Sequence, residues 1–354
     1  MKDSADNTIN AVTSSDPLVS IVTITYEHAS YIARTLESFI SQKTDFAFEV
    51  IVADDCSPDG TADIIRQFAQ KYPGIIRPIL RKKNVGPEDN FLLAAREVRG
   101  KYVAVCDGDD YFLRSDKLQR QVDLLEKDPT LSICCAKARE VWDDGSHPDR
   151  IMPNPERTPK SDRVTMQELL KANFILSSTV MYRWRFSDTN IEDFVPRGMQ
   201  PGDFYLHMLH AQTGDIAFMD EIMSVYNRHT GGIWWDFDAN RESHILKHGV
   251  SEIKLTYEVY RNFTGLSPAY RDQSVVGLLG GFIEVCIRNG AVDKIAELER
   301  LGPEFFEEVG DKITVETIAI RQNRRRKSRR KIKKAIAVFT VLLALAFYLG
   351  TLFG

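Results

Sequence analysis

LVSIVTITY, residues 18–26, is a continuous run of apolar and β-branched side chains but for the small Ser20. Such a strand is buried on both faces, as in a parallel sheet, because a half-exposed strand would alternate with polar residues. The same signal returns at FEVIVAD (48–54), IIRPIL (75–80), KYVAVCD (101–107) and LSICCAKA (131–138). Helical patterns lie between these runs. Residues 29–42 place Ile32, Leu36, Phe39 and Ile40 on one face, and SPDGTADIIRQFAQKY (57–72) buries Ile64, Ile65 and Phe68 after a turn-rich start. PEDNFLLAAREV (87–98) and SDKLQRQVDLLEK (115–127) complete the series, the latter opened by Ser115 or Asp116 as N-cap. This alternation predicts an α/β fold with a doubly wound, mostly parallel sheet.

The pattern loosens afterwards. A loop rich in Pro, Asp and Arg (143–163) precedes a short helix at 166–171. SSTVMYR (177–183) reads as a strand, GDFYLHMLHAQTG (202–214) as a helix and IAFMDEIMSVYNRH (216–229) as one or two strands. From 243 to 308 the spacing is helical, with Ile253, Tyr257 and Tyr260 as markers.

Apolar residues make up 43% of the 354, and charged residues 27%, which suits a globular protein and excludes a collagenous, disordered or polytopic membrane chain. The net charge of −4 conceals an asymmetry. RQNRRRKSRRKIKK (321–334) holds ten Lys/Arg and no acid, so the rest is strongly acidic and a poor partner for nucleic acid. Behind it, AIAVFTVLLALAFYLGTLFG (335–354) carries no charge. As a helix it would span about 30 Å, the thickness of a hydrocarbon core, with the basic run on the cytoplasmic side against anionic lipid. The first residues, MKDSADNTINAVTSSDP, lack an apolar run and read as a disordered lead-in rather than a secretion signal. Cys56, Cys106, Cys134, Cys135 and Cys286 form no CxxC pair and read as reduced cytosolic thiols.

In an open parallel sheet, ligands sit beyond the carboxyl ends of the strands. Here those ends carry Thr25-Tyr26-Glu27-His28, Asp54-Asp55 and Asp107-Gly108-Asp109-Asp110. Acidic groups converging on one edge repel unless a cation or hydrogen-bond donors join them, and such carboxylates suit a hard divalent ion shared with phosphate oxygens. No GxGxxG follows the first strand and no GxxxxGK[ST] occurs, which sets aside a dinucleotide-binding dehydrogenase and a P-loop kinase.

SIVTITYEHASYIARTLESFISQ (20–42), FEVIVADDCSPDGTADII (48–65) and NVGPEDNFLLAAREVRGKYVAVCDGDDYFLRSDKL (84–118) resemble the nucleotide-sugar-binding half of family 2 glycosyltransferases, inverting enzymes of the GT-A fold. GDFYLHMLHAQTGDIAFMDEIMSVYNRHTGGIWW (202–235) is similar to their acceptor half. The resemblance implies a glycosyltransferase domain at 17–240, made of a donor half (17–136) and an acceptor half (137–240). It leaves residues 241–320 as a helical region, 321–334 as a basic juxtamembrane segment, 335–354 as a membrane helix or anchor, and 1–16 as the lead-in.

The resemblance also implies roles. Tyr26 would lie against the nucleobase and Asp54 or Asp55, Asp55 for preference, would accept a base N–H; Lys83 or Asn84 would approach the donor. Asp107 would contact ribose and Asp109 would hold Mg²⁺ or Mn²⁺ on the diphosphate, although the metal ligand among Asp107, Asp109 and Asp110 stays open. His229 would be a further metal ligand or a donor to the diphosphate. Asp203 aligns with the general base, with helix N-capping as the plainer role, and Gly202 stands where many relatives carry Glu. Gly231-Gly232 before Trp234-Trp235 reads as a mobile loop with an aromatic anchor, or as core or membrane-facing aromatics. His28, His147, His207, His210, His244 and His248 read as structural, and the HMLH pair at 207–210 lacks a third ligand.

The expected activity is inverting transfer of a sugar, from a UDP-sugar first, to a hydroxyl of a membrane-linked glycan or lipid, in polysaccharide or glycolipid synthesis at the cytoplasmic face of the inner membrane. A nucleotidyltransferase and a membrane-anchored scaffold without catalysis are the alternatives.

Overall fold

The run that decides the fold becomes β1 (Val19–Thr25), whose flanks are covered almost throughout, as its composition demands. It pairs in parallel with β2 (Phe48–Asp54) and β4 (Tyr102–Val105), and β2 pairs in parallel with β3 (Ile76–Leu80). The connections are α1 (Ile32–Ile40), α2 (Thr61–Lys71) and α3 (Pro87–Ala95). This computed structural model describes residues 16–301, apart from 200–201, 233, 236, 238–239 and 266–267. The lead-in up to 15, the basic run and the apolar tail lie outside the described residues. Among those described, no helix is long and apolar enough to cross a membrane.

After β4 come β5 (Tyr111–Phe112), α4 (Lys117–Lys127), β6 (Leu131–Trp142), β7 (Arg150–Met152), β8 (Arg163–Val164) and α5 (Met166–Lys171). Then follow a 3₁₀ turn at Ser177–Thr179, β9 (Met181–Arg183), α6 (Gly202–Ala211) and β10 (Asp215–Arg228). The described strands form one sheet in the order β3-β2-β1-β4-β9-β6-β10-β5, with β7 and β8 beside β6 and β10. The long pairings are parallel, β6 with β10 included, and the antiparallel ones span two or three residues. The fold class therefore holds, with one difference. The fifth predicted strand does not join β4: β9 runs antiparallel between β4 and β6. Three residues suffice there because Met181 and Tyr182 are buried on both sides.

Helix α5 starts where expected, on a capping box in which Thr165 and Glu168 satisfy each other's backbone N–H. Asp116 does sit at the N-cap of α4, but its carboxylate accepts the Arg114 guanidinium at 2.8 Å instead of a helix N–H. The core against the donor side of the sheet is built from Ile21, Leu36, Phe39, Val50, Ile65 and Leu118, all without exposure. Cys106, Cys134, Cys135 and Cys286 are buried and unbridged, and Cys56 is exposed. Burial pushes the Cys134 thiol up to about 12, so it stays protonated.

One polar group is buried deep in this layer. Glu49 on β2 faces its register partner Ser20 on β1 and accepts its hydroxyl at 2.7 Å, the Arg77 guanidinium at 2.7 Å and Arg99 Nε at 3.0 Å. Burial works to raise its pKa, but Arg99, Ser20 and Arg77 outweigh it and hold it below the ordinary value. Removing the carboxylate strands both guanidiniums, each still partly in solvent, so Glu49→Ala is expected to cost about 3 kcal/mol, the low end for a broken buried pair. Chemical denaturation of both proteins checks it, and an unchanged midpoint would refute it. The contribution of Glu49 is present above the ordinary carboxylate range and lost as pH falls through its lowered folded value.

The chain divides into two compact units, one of residues up to 239 with 261–266, the other of 240–260 with 267 onward. The second holds most of α7 (Arg241–Asn262) and all of α8 (Pro268–Asn289) and α9 (Val292–Leu301). Val250, Ile253, Leu279, Phe282, Cys286 and Leu298 form its core. Gly249 is required there, since a Cβ would stand 2.5 Å from the Phe282 ring.

Candidate active site

The carboxyl ends of β1, β2 and β4 share one edge, and the polar residues beyond them are stitched together by backbone hydrogen bonds. Glu27 N–H donates to Ser57 Oγ at 2.9 Å, His28 N–H to Thr61 Oγ1 at 3.0 Å and Ala29 N–H to Asp59 Oδ2 at 2.9 Å. The SPDGT turn after β2 thus fixes the turn after β1. Glu27 and Cys56, the non-glycine residues with positive φ among the described residues (58° and 64°), sit at these strand ends, and strain of this kind clusters at functional sites.

Asp54 closes its own turn, accepting the Ser57 hydroxyl at 2.5 Å and the Ser57 N–H at 3.1 Å. Asp55 accepts the N–H groups of Val85 and Gly86, each at 2.8 Å. It therefore clamps the loop that carries Lys83 and Asn84, both exposed. Tyr26 is 41% exposed. Glu27 beside it raises its phenol pKa, while Asn84 acts in the opposite direction. Tyr26, Asn84 and the buried Asp55 form one corner with a partly open aromatic side chain.

The second corner lies at the end of β4. Gly108 is needed for its close approach to β1, because a Cβ would fall 2.7 Å from Thr25 Cβ. Asp109 points into the cleft: its Oδ2 is 2.9 Å from His229 Nε2 and 3.7 Å from His28 Nε2. Burial works to raise Asp109, but the His229 hydrogen bond and the two imidazoles hold it below the usual carboxylate range. His28 is lowered by burial, against the pull of Asp109. Tyr31 packs its ring 4.6 Å from that of His229 and bonds Asp143.

Asp110 does not join Asp109 as a ligand in this geometry. It is turned inward, 2% exposed, accepting Asn227 N–H at 2.9 Å, and burial with Asp109 and Asp107 beside it raises its pKa well above the ordinary value. His28, read from sequence as structural, is the residue that stands beside Asp109 and His229 instead. Nothing in its local spacing signals this, since its partners Asp109 and His229 come from distant strands. Together these two imidazole nitrogens and one carboxylate oxygen lie within 4.8 Å of one another, a donor set that fits a divalent ion. Asp107 is pushed up to about 8 by burial and by Asp109 and Asp203, a crowding that a cation would relieve.

Asp203 lies within the first turn of α6, which starts at Gly202, so it does not serve as the N-cap. Its Oδ1 accepts Phe204 N–H at 2.7 Å and its Oδ2 accepts the Ser177 hydroxyl at 3.0 Å. The side chain keeps 32% exposure, so a substrate can reach it. Trp235 packs 5.2 Å from the Trp142 ring, and Arg228 ties the Trp234 carbonyl to Glu140. His210 is sandwiched in an aromatic stack with Tyr182 and Trp184 and takes no part in a metal cluster among the described residues.

A model of glycosyl transferase family 2 matches residues 20–189. These residues are a family 2 glycosyltransferase domain. The sheet of this glycosyltransferase domain agrees with the GT-A fold, and the mannosyltransferase PcManGT of Pyrobaculum calidifontis, solved with GDP-Man and Mn²⁺, shares it. PcManGT superposes with a TM-score of 0.54 at 17% identity, over 85% of this chain and 84% of that one, a likeness of fold. By sequence, an uncharacterized protein of Mycobacterium tuberculosis H37Rv is 40% identical over 216 residues, 61% of this chain and 60% of its own length. A Bacillus subtilis protein named for glycosyl transfer in teichuronic acid biosynthesis, TuaG, is 32% identical over 166 residues, 47% of this chain and 62% of its own. The glycosyltransferase domain thus belongs to a chain that spans about 60% of the first relatives it matches.

Proposed function

We propose that the chain is an inverting, metal-dependent glycosyltransferase that moves a sugar from a nucleotide-sugar, first of all a UDP-sugar, to a hydroxyl of a membrane-linked glycan or lipid. The observation that carries this reading is the arrival of Asp109, His28 and His229 at the same sheet edge as Asp107 and Asp203. Tyr26 offers a flat platform to a nucleobase, and the Asp55-clamped loop lines its side with Asn84 and Lys83. Asp107 would contact the ribose. Asp109, His229 and His28 would hold a divalent ion, Mg²⁺ or Mn²⁺, which when bound offsets charge on the leaving diphosphate. Asp203 accepts the proton of the acceptor hydroxyl as that oxygen attacks the anomeric carbon from the side opposite the diphosphate.

The acceptor follows from different evidence. The basic run at 321–334 and the apolar tail at 335–354 suit attachment to the cytoplasmic leaflet, where enzyme and acceptor would share one surface. The name of TuaG, a glycosyltransferase of teichuronic acid biosynthesis, supports a place in polysaccharide synthesis.

The test is nucleoside diphosphate release by the full chain in detergent from UDP-, GDP- and dTDP-sugars, with Mn²⁺, Mg²⁺ or EDTA. Turnover of one donor, lost in EDTA and in Asp109→Ala and Asp203→Asn, is the expected result. Pyrophosphate release would make the chain a nucleotidyltransferase. No turnover and no calorimetric binding of any nucleotide with metal present would leave the scaffold reading.

A further inference from the structure

Behind Asp203 stands a buried pair of side chains that the proposed chemistry leaves unused. Residue 207 follows 203 by four, so one face of α6 carries both, and His207 Nε2 lies 3.9 Å from Asp203 Oδ2. His207 has no exposure at all, and its Nε2 is buried without a hydrogen-bond partner. An unsatisfied nitrogen in a core is costly and calls for a physical explanation, even with the Ile175 backbone close to the ring. The other ring nitrogen is spoken for. Tyr182, on β9 in the middle of the sheet, sets its hydroxyl 2.6 Å from His207 Nδ1.

That contact favours one tautomer. Burial raises the Tyr182 phenol well above its ordinary pKa, so Tyr182 keeps its proton, and donating it to Nδ1 gives that buried proton an acceptor, which it would lack if the phenol accepted Nδ1–H instead. Burial likewise pulls the His207 ring down to about 4, against Asp203 and the Ile175 backbone, so the ring is neutral. A neutral imidazole that accepts at Nδ1 carries its hydrogen on Nε2, on the side of Asp203. The charged and titratable groups around the pair are Asp107 from the end of β4, Cys135 on β6 and His210 one turn along α6.

We propose that Tyr182 and His207 form a positioning relay for Asp203: Tyr182 fixes the imidazole tautomer, and the His207 Nε2–H steadies the Asp203 carboxylate facing the acceptor hydroxyl. The inference rests on Asp203 being the general base. The gap of 3.9 Å closes to a hydrogen bond when donor and acceptor order the first turn of α6, as catalytic contacts commonly tighten in the loaded enzyme. With Ser177 already on Oδ2 and Phe204 N–H on Oδ1, the His207 contact fills Oδ2 and leaves one Oδ1 lone pair for the incoming proton. His207 touches no reacting atom, so it is a positioning residue.

The experiment compares His207→Phe, His207→Gln, Tyr182→Phe and Asp203→Asn in the full chain with Mn²⁺ and a panel of UDP-sugars. His207→Phe is expected to lower kcat about tenfold, a fraction of what a general base contributes, with the donor KM and calorimetric UDP binding unchanged. His207→Gln restores most of that loss, because its amide N–H can face Asp203, while Tyr182→Phe falls in between by freeing the tautomer. Equal losses in Phe and Gln, an unchanged kcat, or a loss confined to KM would overturn the relay. If His207→Phe does not fold, the Gln and Tyr182→Phe pair decides: kcat of Tyr182→Phe at or above that of His207→Gln refutes it. Retained turnover in Asp203→Asn would instead remove the general-base reading itself, whatever His207 does.

Discussion

Asp203→Asn is expected to slow sugar transfer at least about 10²-fold while leaving donor binding as it is, the size of effect that a positioned general base supplies. The substitution keeps the shape of the side chain. Its oxygen can still accept the Phe204 N–H and stay beside Ser177, so the first turn of α6 should persist. What it loses is the capacity to take a proton. Nucleoside diphosphate release at saturating donor and acceptor, beside calorimetric titration with UDP, separates the two properties. A variant that turned over within a few-fold of the parent would remove Asp203 from the chemistry, and one that failed to bind UDP would make it part of the donor pocket.

Asp109→Asn and His229→Ala are expected to weaken Mn²⁺ binding at least about 10²-fold, beyond the loss seen when only an outer partner of a metal ligand is removed. Free Mn²⁺ read by electron paramagnetic resonance with UDP present measures this without any turnover. Asp109 lies at the centre, within 2.9 Å of His229 and 3.7 Å of His28, so its loss should be the largest. His28→Ala should fall between those variants and the parent, because the first turn after β1 can draw the ring closer only by shifting its bond to Thr61. Asp110→Asn should leave Mn²⁺ affinity unchanged, since that carboxyl faces Asn227. Equal losses for Asp110 and Asp109 would return the metal to an all-carboxylate site.

The sheet edge that carries these residues was legible in the sequence because parallel strands announce themselves by continuous apolar runs, and their ends are fixed by chain order. Tyr26, Asp54, Asp55, Asp107 and Asp109 close such runs or lie just beyond them. The place of β9 was not legible. Its three residues read as a strand, but nothing in MYR says that it inserts antiparallel between β4 and β6. The neighbourhood of His28 was not legible for a related reason: one histidine after a strand carries no spacing signal, and only the fold brings His229 to it. Asp110 looked equivalent to Asp109 in DGDD, yet the chain turns between them, sending one side chain into the cleft and the other into the sheet.

The position of β9 also bears on how the polypeptide is made. During synthesis, the segment through β6 leaves the ribosome while β4 still has a bare edge, and residues 181–183 must emerge before that gap closes. Exposed edges of this kind recruit other chains, so a nascent protein stalled before residue 183 is an aggregation hazard and a chaperone client. A split-protein reporter or a truncated donor-binding module cut near residue 136 would inherit the same defect. Cuts in the exposed turn around residues 144–149 would as well, because they separate β6 from its neighbour.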